Sequence, residues 1–406
     1  MEDHEAEVHP SPARAAAIGD LDPTEPEQLT TAHDRFRELR STCPVAHSEA
    51  FGGFWALLRH ADVAAALRRP STYITSVQNV VPKVAFTGRR PPLHLDPPEH
   101  TPYRQVINRF FTDERVRDFE PTLRRLVVEL LDPFVAAGGG DLCDVAQHLP
   151  GRVFGQLFNL PAGLAETIEA TTARYNRALQ EADDATVKAT SLELYEVAKT
   201  IVELRRHEPL DPADDLPSAL LAKVHDGAPL PPELVLGTIR QMIVVGMIAP
   251  SVVIGTIAVH LSEHPALADR LRREPGLTGR AVEEYLRLYT PYRGFARTAT
   301  HDVTIAGRTI PAGEPIALVY ASANRDEAVF GDGDRFVLDR PNIGEHLAFG
   351  GGPHRCAGEA LARSMLRVVV EELLARTRSL EVTGEVVMTR WPEWGTLSVP
   401  LRVVPA

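Results

Sequence analysis

The sequence predicts a mainly helical protein with a small β region. Between residues 103 and 275, apolar residues recur almost throughout at helical spacing, and one helix follows another without intervening strands. Strand signals return only after Pro291, in DVTIAGRTI and then PAGEPIALVYAS. The chain has 406 residues, 44% of them hydrophobic, which is enough to bury one large core. We therefore expect a helical body with a small sheet folded against it.

The chain divides at about residue 30. Residues 1–30 are rich in Pro, Glu and Asp, which predicts a flexible arm, and residues 31–406 are predicted to fold as a single domain. At the start of that domain, FGGFWALLRH is typical of a strand and the following ADVAAALRR of a helix that Pro70 ends. Residues 71–98 lose periodicity and collect Gly and Pro, and a loop of this length in a compact domain is usually either functional or disordered.

Pro and Gly residues divide the helical body. They predict breaks at Pro121, 138–140, Pro161, 209–217 and 229–232. A final helix, over residues 358–376, precedes short strands near the C-terminus.

Charge and cysteine content argue against a nucleic-acid-binding or secreted protein. Asp and Glu number 55 against 43 for Lys and Arg, a net charge of −12, whereas phosphate backbones are bound by clustered basic residues. Three cysteines are too few for a disulfide framework, and residues 1–20 lack the basic and apolar segments of an export signal. The expected location is the cytoplasm.

One apolar segment bears on that expectation. Residues 242–259 carry no charge over eighteen positions, the lower edge of a membrane span. No second such run exists, and a helix that is apolar on all sides is also required at the centre of a large globular protein. We expect a buried core helix and no membrane association.

A glycine-rich loop places one cysteine directly before the final helix. Residues 349–358 read FGGGPHRCAG, with Cys356 close to backbone N–H groups that favour a thiolate. The glycines allow the backbone to pass close to a flat ligand. A phosphate loop would need Lys followed by Ser or Thr, and the spacing of His346, His354 and Cys356 fits no zinc pattern. An inert structural role is expected for Cys43 and Cys143.

These residues resemble a known motif. The pattern Phe-Gly-x-Gly-x-x-x-Cys-x-Gly is similar to the heme-binding loop of the cytochrome P450 superfamily, and every fixed position is matched. The resemblance implies the cytochrome P450 fold in a single heme domain. It also implies a heme b cofactor (iron protoporphyrin IX), with Cys356 as the axial ligand of the iron and Phe349 and Gly350 beside the cofactor.

Two further stretches extend the resemblance. Glu284 and Arg287 match the family's Glu-x-x-Arg motif, which implies a structural pair joined by a further arginine, either Arg335 or Arg340. The stretch beginning DPPEHTPYR resembles a His-x-x-x-Arg helix start. The basic groups that the resemblance implies for the heme propionates are His100, Arg104, Arg297 and His354.

The helix over the heme departs from the family pattern. Most members carry Gly, any residue, an acid and then Thr, and the acid and alcohol help to deliver protons to dioxygen. Here Gly246 is kept, but Ile248 stands at the acid and Ala249 at the alcohol, and neither side chain can relay a proton. Ser251, two positions further along, is expected to point elsewhere.

Four interpretations of this departure stay open. The preferred one is that a substrate hydroxyl or an ordered water supplies the missing proton relay. The others are peroxide as the oxidant, an atypical oxidation such as coupling, cyclisation or nitration, and a non-catalytic heme-thiolate protein that binds a ligand. The catalytic positions implied by the resemblance are Cys356, Gly246 and Ala249.

The resemblance also implies a substrate pocket and partners. The expected substrate is a small or medium-sized, natural-product-like molecule, hydroxylated or similarly oxidised by a monooxygenase of secondary metabolism. Its predicted pocket residues are Phe86, Val245, Ala249, Arg293, Phe295 and Trp394. Arg293 is expected either to pair with a carboxylate or to reach solvent.

Electrons must come from outside, because the chain lacks flavin, nucleotide and iron–sulfur fingerprints. We expect a ferredoxin with its reductase as donor, docking on Arg104, Arg109, Arg355 and Arg363. The protein itself is expected to be a monomer.

Overall fold

The computed structural model describes residues 20–24, 31–83 and 87–406. The predicted pocket residue Phe86 and most of the predicted N-terminal arm lie outside the described residues. Within residues 20–24, Leu21 is buried and the Asp20 carboxylate accepts a hydrogen bond from the N–H of His47 at 2.9 Å. This short stretch is therefore docked on the domain, a contact that its polar composition did not indicate.

Helices form most of the described part of the chain. They are α1 (Thr31–Thr42), α2 (His60–Leu67), α3 (Thr101–Asn108), α4 (Asp113–Ala136), α5 (Leu142–Ala146), α6 (His148–Leu157), α7 (Ala162–Glu181), α8 (Asp184–His207), α9 (Leu216–Ala222), α10 (Pro232–Val245), α11 (Ile248–Glu263), α12 (Pro265–Arg273), α13 (Thr278–Leu288), α14 (Tyr320–Ala323), α15 (Glu327–Phe330) and α16 (Glu359–Arg376).

The strands are short. They are β1 (Val45–Ser48), β2 (Phe54–Leu57), β3 (Tyr73–Ile74), β4 (Gly139–Asp141), β5 (Val224–His225), β6 (Ala228–Pro229), β7 (Gly294–Ala299), β8 (Val303–Ile305), β9 (Arg308–Ile310), β10 (Pro315–Val319), β11 (Thr377–Val382), β12 (Val387–Met388), β13 (Thr396–Ser398) and β14 (Pro400–Pro405). The largest sheet has the order β1-β2-β10-β7-β3, in which β2 and β10 run parallel and the other pairs antiparallel. The predicted helical body with a small sheet is confirmed.

The predicted break at Pro121 is wrong. Helix α4 continues through Pro121 and Pro133 from Asp113 to Ala136, although an internal proline costs about 3 kcal/mol. Packing offsets that cost: α4 lies along α16 and buries an apolar stripe that includes Leu123 and Val127. Tertiary contacts, which local sequence does not report, keep this helix whole.

The glycines at 138–140 do end a helix, but they also form a strand that the sequence did not reveal. Strand β4 pairs antiparallel with β14. At Gly139, which has φ of +119°, a Cβ would come within 2.0 Å of the carbonyl oxygen of Leu401. Glycine is thus required here because the two backbones approach closely.

The apolar segment is two helices in line rather than one. Helix α10 ends at Val245, Gly246 and Met247 form a turn, and α11 begins at Ile248. Pro250 lies in the first turn of α11, where a missing N–H removes no intrahelical bond. Residues 232–263 are apolar enough to cross a membrane but are mostly buried inside the protein, as expected for a core helix. Helix α11 packs against α5, α16 and β11.

Candidate active site

The cysteine loop is held by its own backbone. The N–H of Cys356 donates to the carbonyl oxygen of Phe349 at 2.9 Å, which closes the loop before α16. Gly350 and Gly352 have φ of +67° and +64°, a region that favours glycine. A Cβ on Gly352 would also lie 2.1 Å from the carbonyl oxygen of Leu67. The glycines therefore shape the loop and seat it against the end of α2.

The Cys356 sulfur lies deep among protein atoms, yet its side chain is accessible to a ligand. Burial raises the pKa of the Cys356 thiol, whereas a hydrogen bond from the N–H of Gly358 and the charges of Arg104 and Arg363 lower it. The N–H at the helix start thus favours the thiolate, as expected, but burial has the larger effect and the net direction is upward. Coordination to a metal would deprotonate the sulfur outright.

Four predicted basic side chains gather beside this cysteine. The rings of His100 and His354 lie 4.9 Å apart between centroids, and Arg104 donates to the carbonyl oxygen of Arg355 at 2.6 Å. Burial lowers the pKa of His354, and the charges of Arg297 and Arg104 lower it further, while Asp96 raises it. Residues from α3, β7 and the cysteine loop thus place four basic groups around one accessible sulfur.

Glu284, Arg287 and Arg340 form a buried ion cluster. Arg287 donates two hydrogen bonds of 2.8 Å to the Glu284 carboxylate, and Arg340 Nε donates to it at 3.0 Å. All three side chains are almost completely buried. Of the two candidates for the third member, the structure places Arg340 there, whereas the Arg335 side chain is exposed and only its carbonyl oxygen joins the cluster.

Gly246 is required by packing. A Cβ at Gly246 would lie 2.1 Å from the ring of Phe154 on α6, so a side chain at this position would force the Phe154 ring to move. Ser251 Oγ donates to the carbonyl oxygens of Met247 at 3.0 Å and Ala146 at 3.3 Å. Its hydroxyl is therefore occupied by backbone, as the sequence predicted. Ala249 is half-buried and offers no polar atom.

The predicted pocket residues differ in placement. Val245 is 45% exposed, and the half-buried Phe295 packs its ring 4.7 Å from that of Tyr292. Arg293 is fully buried with its guanidinium 5.0 Å from the Trp394 ring, so it does not reach solvent. Trp394 is 1% exposed and packs on His33, which makes it a core residue instead of a pocket wall.

Glu393, next to Trp394, is a buried carboxyl that sequence reasoning did not identify. A β-bridge joins Tyr292 to Glu393, and because neighbouring residues of an extended segment point to opposite sides, Glu393 and Trp394 face apart. Gln180 of α7 donates to the Glu393 carboxyl at 2.9 Å. Burial raises the pKa of Glu393 to about 7, against a smaller lowering by Gln180 and Arg293.

The predicted docking arginines are largely engaged. Arg355 pairs with Glu359 at 2.8 Å, and Arg363 pairs with Glu359 at 3.0 Å and with Glu283 at 2.6 Å. Arg109 is exposed and forms no ion pair among the described residues. On this surface Arg355 and Arg363 are engaged in ion pairs, whereas Arg109 has no charged partner among the described residues.

The donor set fits an iron porphyrin better than a simple metal ion. Among the described residues, no group of three His, Cys, Asp or Glu side chains is arranged to hold a metal ion. One accessible sulfur suits an axial iron ligand, glycines keep side chains away from a flat ring, and four basic groups suit two propionates.

Comparison with known proteins decides the family. A family model described as Cytochrome P450 matches residues 152–400. The chain is 33% identical over 392 residues to Cytochrome P450 130 of Mycobacterium tuberculosis, covering 91% of this chain and 94% of that protein. The chain belongs to the cytochrome P450 family. Members of this monooxygenase family carry a heme-iron cofactor and act on small molecules with redox partners.

Other relatives of this P450 are similar over most of their length. It is 33% identical to the mycinamicin IV hydroxylase/epoxidase of Micromonospora griseorubida, covering 92% of this chain and 95% of that enzyme. Among solved structures, a cytochrome P450 from Chondromyces apiculatus superposes with a TM-score of 0.84 at 29% identity, covering 95% of this chain and 98% of the other. The cytochrome P450 fold predicted from the cysteine loop is confirmed.

Proposed function

We propose that this P450 is a heme b monooxygenase of secondary metabolism. It oxidises a natural-product-like molecule, by hydroxylation or a related oxidation, with dioxygen and electrons from a ferredoxin and its reductase. It acts in the cytoplasm as a monomer. The observation that carries the proposal is the accessible Cys356 sulfur with four basic side chains beside it.

Each part of the chain has a defined task in this proposal. The heme, when bound, supplies the iron at which dioxygen is activated, and its thiolate ligand favours cleavage of the oxygen–oxygen bond. Cys356 holds the iron, and the N–H of Gly358 stabilises the sulfur charge. His100, Arg104, Arg297 and His354 hold the propionates. The half-buried, nonpolar Ile248 and Ala249 limit access of water to the reacting atoms.

We propose that the proton source is not a side chain of the helix over the heme, which comprises α10 and α11. Ile248 and Ala249 carry no exchangeable proton, and the Ser251 hydroxyl is bound to backbone carbonyls. A hydroxyl of the substrate, or a water that the substrate holds in place, then completes the relay.

Turnover with defined oxidants tests the proposed function. Mycinamicin IV, pseudoionone and dodecanoate serve as first probes in a screen for low- to high-spin shifts. With ferredoxin, reductase, NADPH and air, we expect mass spectrometry to detect a product one oxygen atom heavier. If product formed with hydrogen peroxide but not with the ferredoxin system and air, the protein would be a peroxide-dependent enzyme. A spin shift without product from either oxidant would assign a ligand-binding protein.

Substitution of Ala249 tests the proton source. We expect Ala249→Thr to leave the ratio of product formed to NADPH consumed unchanged or lower, because the substrate already supplies the relay and the added methyl crowds it. Ala249→Val is the matched control, since it has nearly the volume of threonine but no hydroxyl. A ratio that rises with threonine well above that of valine would show that the site lacked a relay and that substrate assistance is wrong.

A further inference from the structure

Two arginines are buried without a carboxylate partner. Arg240 on α10 is 1% exposed, and Arg90 in the loop before α3 is 8% exposed. Neither forms an ion pair with Asp or Glu among the described residues, and the charge that acts most strongly on Arg240 is that of Arg90. A buried guanidinium is costly unless it is paired, so two of them side by side require an explanation.

The contacts of these arginines leave donors unused. Arg240 Nη2 donates to Ser191 Oγ at 2.8 Å, and its guanidinium lies 5.6 Å and 5.8 Å from the ring centroids of Tyr175 and Tyr195. Buried Nε of Arg240, Nε of Arg90 and the hydroxyl of Tyr195 have no hydrogen-bond partner among the described residues. Arg90 Nη2 lies 3.4 Å from His94 Nε2. Three donors in one buried region thus remain without a partner among the described residues.

The charges that lower the pKa of Arg240 and His94 come from arginines of the described residues. Burial and, to a smaller extent, the charge of Arg90 together lower the pKa of Arg240 to about 10. Burial and the charges of Arg90, Arg240 and Arg89 lower the pKa of His94 to about 4. At pH 7 the Arg240 guanidinium is therefore cationic and His94 is neutral. An anion bound between the arginines would offset their mutual repulsion.

The loop over these arginines is fitted closely to the helices. A Cβ on Gly88 would lie 2.5 Å from the Tyr195 hydroxyl, and one on Gly237 would lie 2.0 Å from the carbonyl oxygen of Arg89. Thr87 Oγ1 lies 2.8 Å from Ser191 Oγ. This is the loop at 71–98, whose length is typical of a functional or a disordered segment.

The arginines lie within reach of the active site. Arg240 precedes Gly246 by six residues, about 9 Å along the helix axis. Burial raises the pKa of Tyr292, and the charges of Glu393, Cys356 and Tyr175 raise it further. Tyr175 lies beside Arg240, so Tyr292 lies near both the cysteine and a neighbour of the arginine pair.

We propose that Arg90, Arg240 and Tyr195 form a subsite that binds a carboxylate of the substrate, which makes the substrate an organic acid. Guanidinium groups bind carboxylates with two parallel hydrogen bonds, and the surrounding tyrosine rings suit a flat, partly apolar group. The proposal rests on the proposed function, since it names the substrate class of the same enzyme. It adds a positioning role for two residues remote from the reacting atoms.

Binding of matched acid and amide probes tests the subsite independently of turnover. The heme-loaded protein is titrated calorimetrically with dodecanoate and 4-phenylbutanoate, and with the primary amide of each. We expect at least one acid to bind about tenfold or more tightly than its amide. Arg240→Gln and Arg90→Gln are expected to remove that difference while the amide affinity stays within about twofold. Equal affinity of acid and amide in the native protein would overturn the proposal.

Three controls separate the alternatives. Arg206→Gln removes an exposed charge from α8 and is expected to leave the acid preference unchanged. Arg240→Lys keeps the charge and is expected to retain part of the preference, which distinguishes anion binding from loss of the stacking on Tyr175 and Tyr195.

Inorganic phosphate that binds as tightly as the acids would show a general anion site and overturn the substrate assignment. Failure of the monooxygenase proposal would appear as absent product despite intact acid binding.

Discussion

Replacing Cys356 with serine is expected to abolish both the thiolate-heme spectrum and product formation. A serine hydroxyl does not ionise near neutral pH and cannot supply the soft, electron-rich sulfur that the iron requires. The native protein, reduced and treated with carbon monoxide, should show the strongly red-shifted Soret band of a thiolate heme. The serine variant should lose that band, and turnover should fall to background.

The other cysteines provide the matched control. Cys143 is buried against Thr396, 3.4 Å from its hydroxyl, and burial raises the pKa of its thiol to about 12. Cys143→Ser and Cys43→Ser are expected to keep the red-shifted band. A band that survived Cys356→Ser, or that disappeared with Cys143→Ser, would contradict the assignment of Cys356 as the iron ligand.

Replacing Glu284 with alanine is expected to destabilise the folded protein by roughly 3–5 kcal/mol, because removing one partner leaves buried charges uncompensated. Arg287 and Arg340 would both lose their carboxylate in a site without solvent. The loop over 330–337 would also loosen, since Glu284 accepts the N–H of Val337 at 2.9 Å. Chemical denaturation of the heme-loaded protein, followed by circular dichroism and heme absorbance, measures the loss.

The chain contains its own control for this prediction. Glu203 and Arg206 have the same spacing on α8, but both side chains are exposed. Glu203→Ala is expected to change stability by no more than about 0.5 kcal/mol. Similar losses for the two variants would show that the spacing alone, and not burial of the cluster, sets the effect.

The sequence predicted those parts of the site that lie within one short motif. Cys356, Gly350 and Phe349 belong to ten consecutive residues, and the resemblance of this one motif to the family's heme-binding loop was enough to identify them. The choice between Arg335 and Arg340 could not be made, because the two are five residues apart in an irregular segment and only the folded loop shows which side chain turns inward. The burial of Trp394 and Glu393 could not be predicted for a similar reason, since it depends on contacts of this bend with Tyr292, His33 and Gln180 from distant parts of the chain.

Features that depend on contacts between distant segments could not be predicted from local sequence patterns. Pro121 was expected to end a helix, and only the packing of α4 on α16 explains why it does not. Strand β4 was missed because its three residues pair with a partner more than 250 positions away. Arg90 and Arg240 come from a loop and a helix 150 residues apart, so neither could be recognised as half of a pair.

The ion pairs on the surface of the cysteine loop also bear on the lifetime of the proposed complex with an electron donor. Arg355 and Arg363 already hold Glu359 and Glu283, so an acidic donor gains each of these arginines only by displacing a carboxylate of the same strength. Such an exchange yields little net affinity per contact. If the proposed donor docks here, we expect a short residence time, so that the two electrons of one catalytic cycle would arrive in separate encounters.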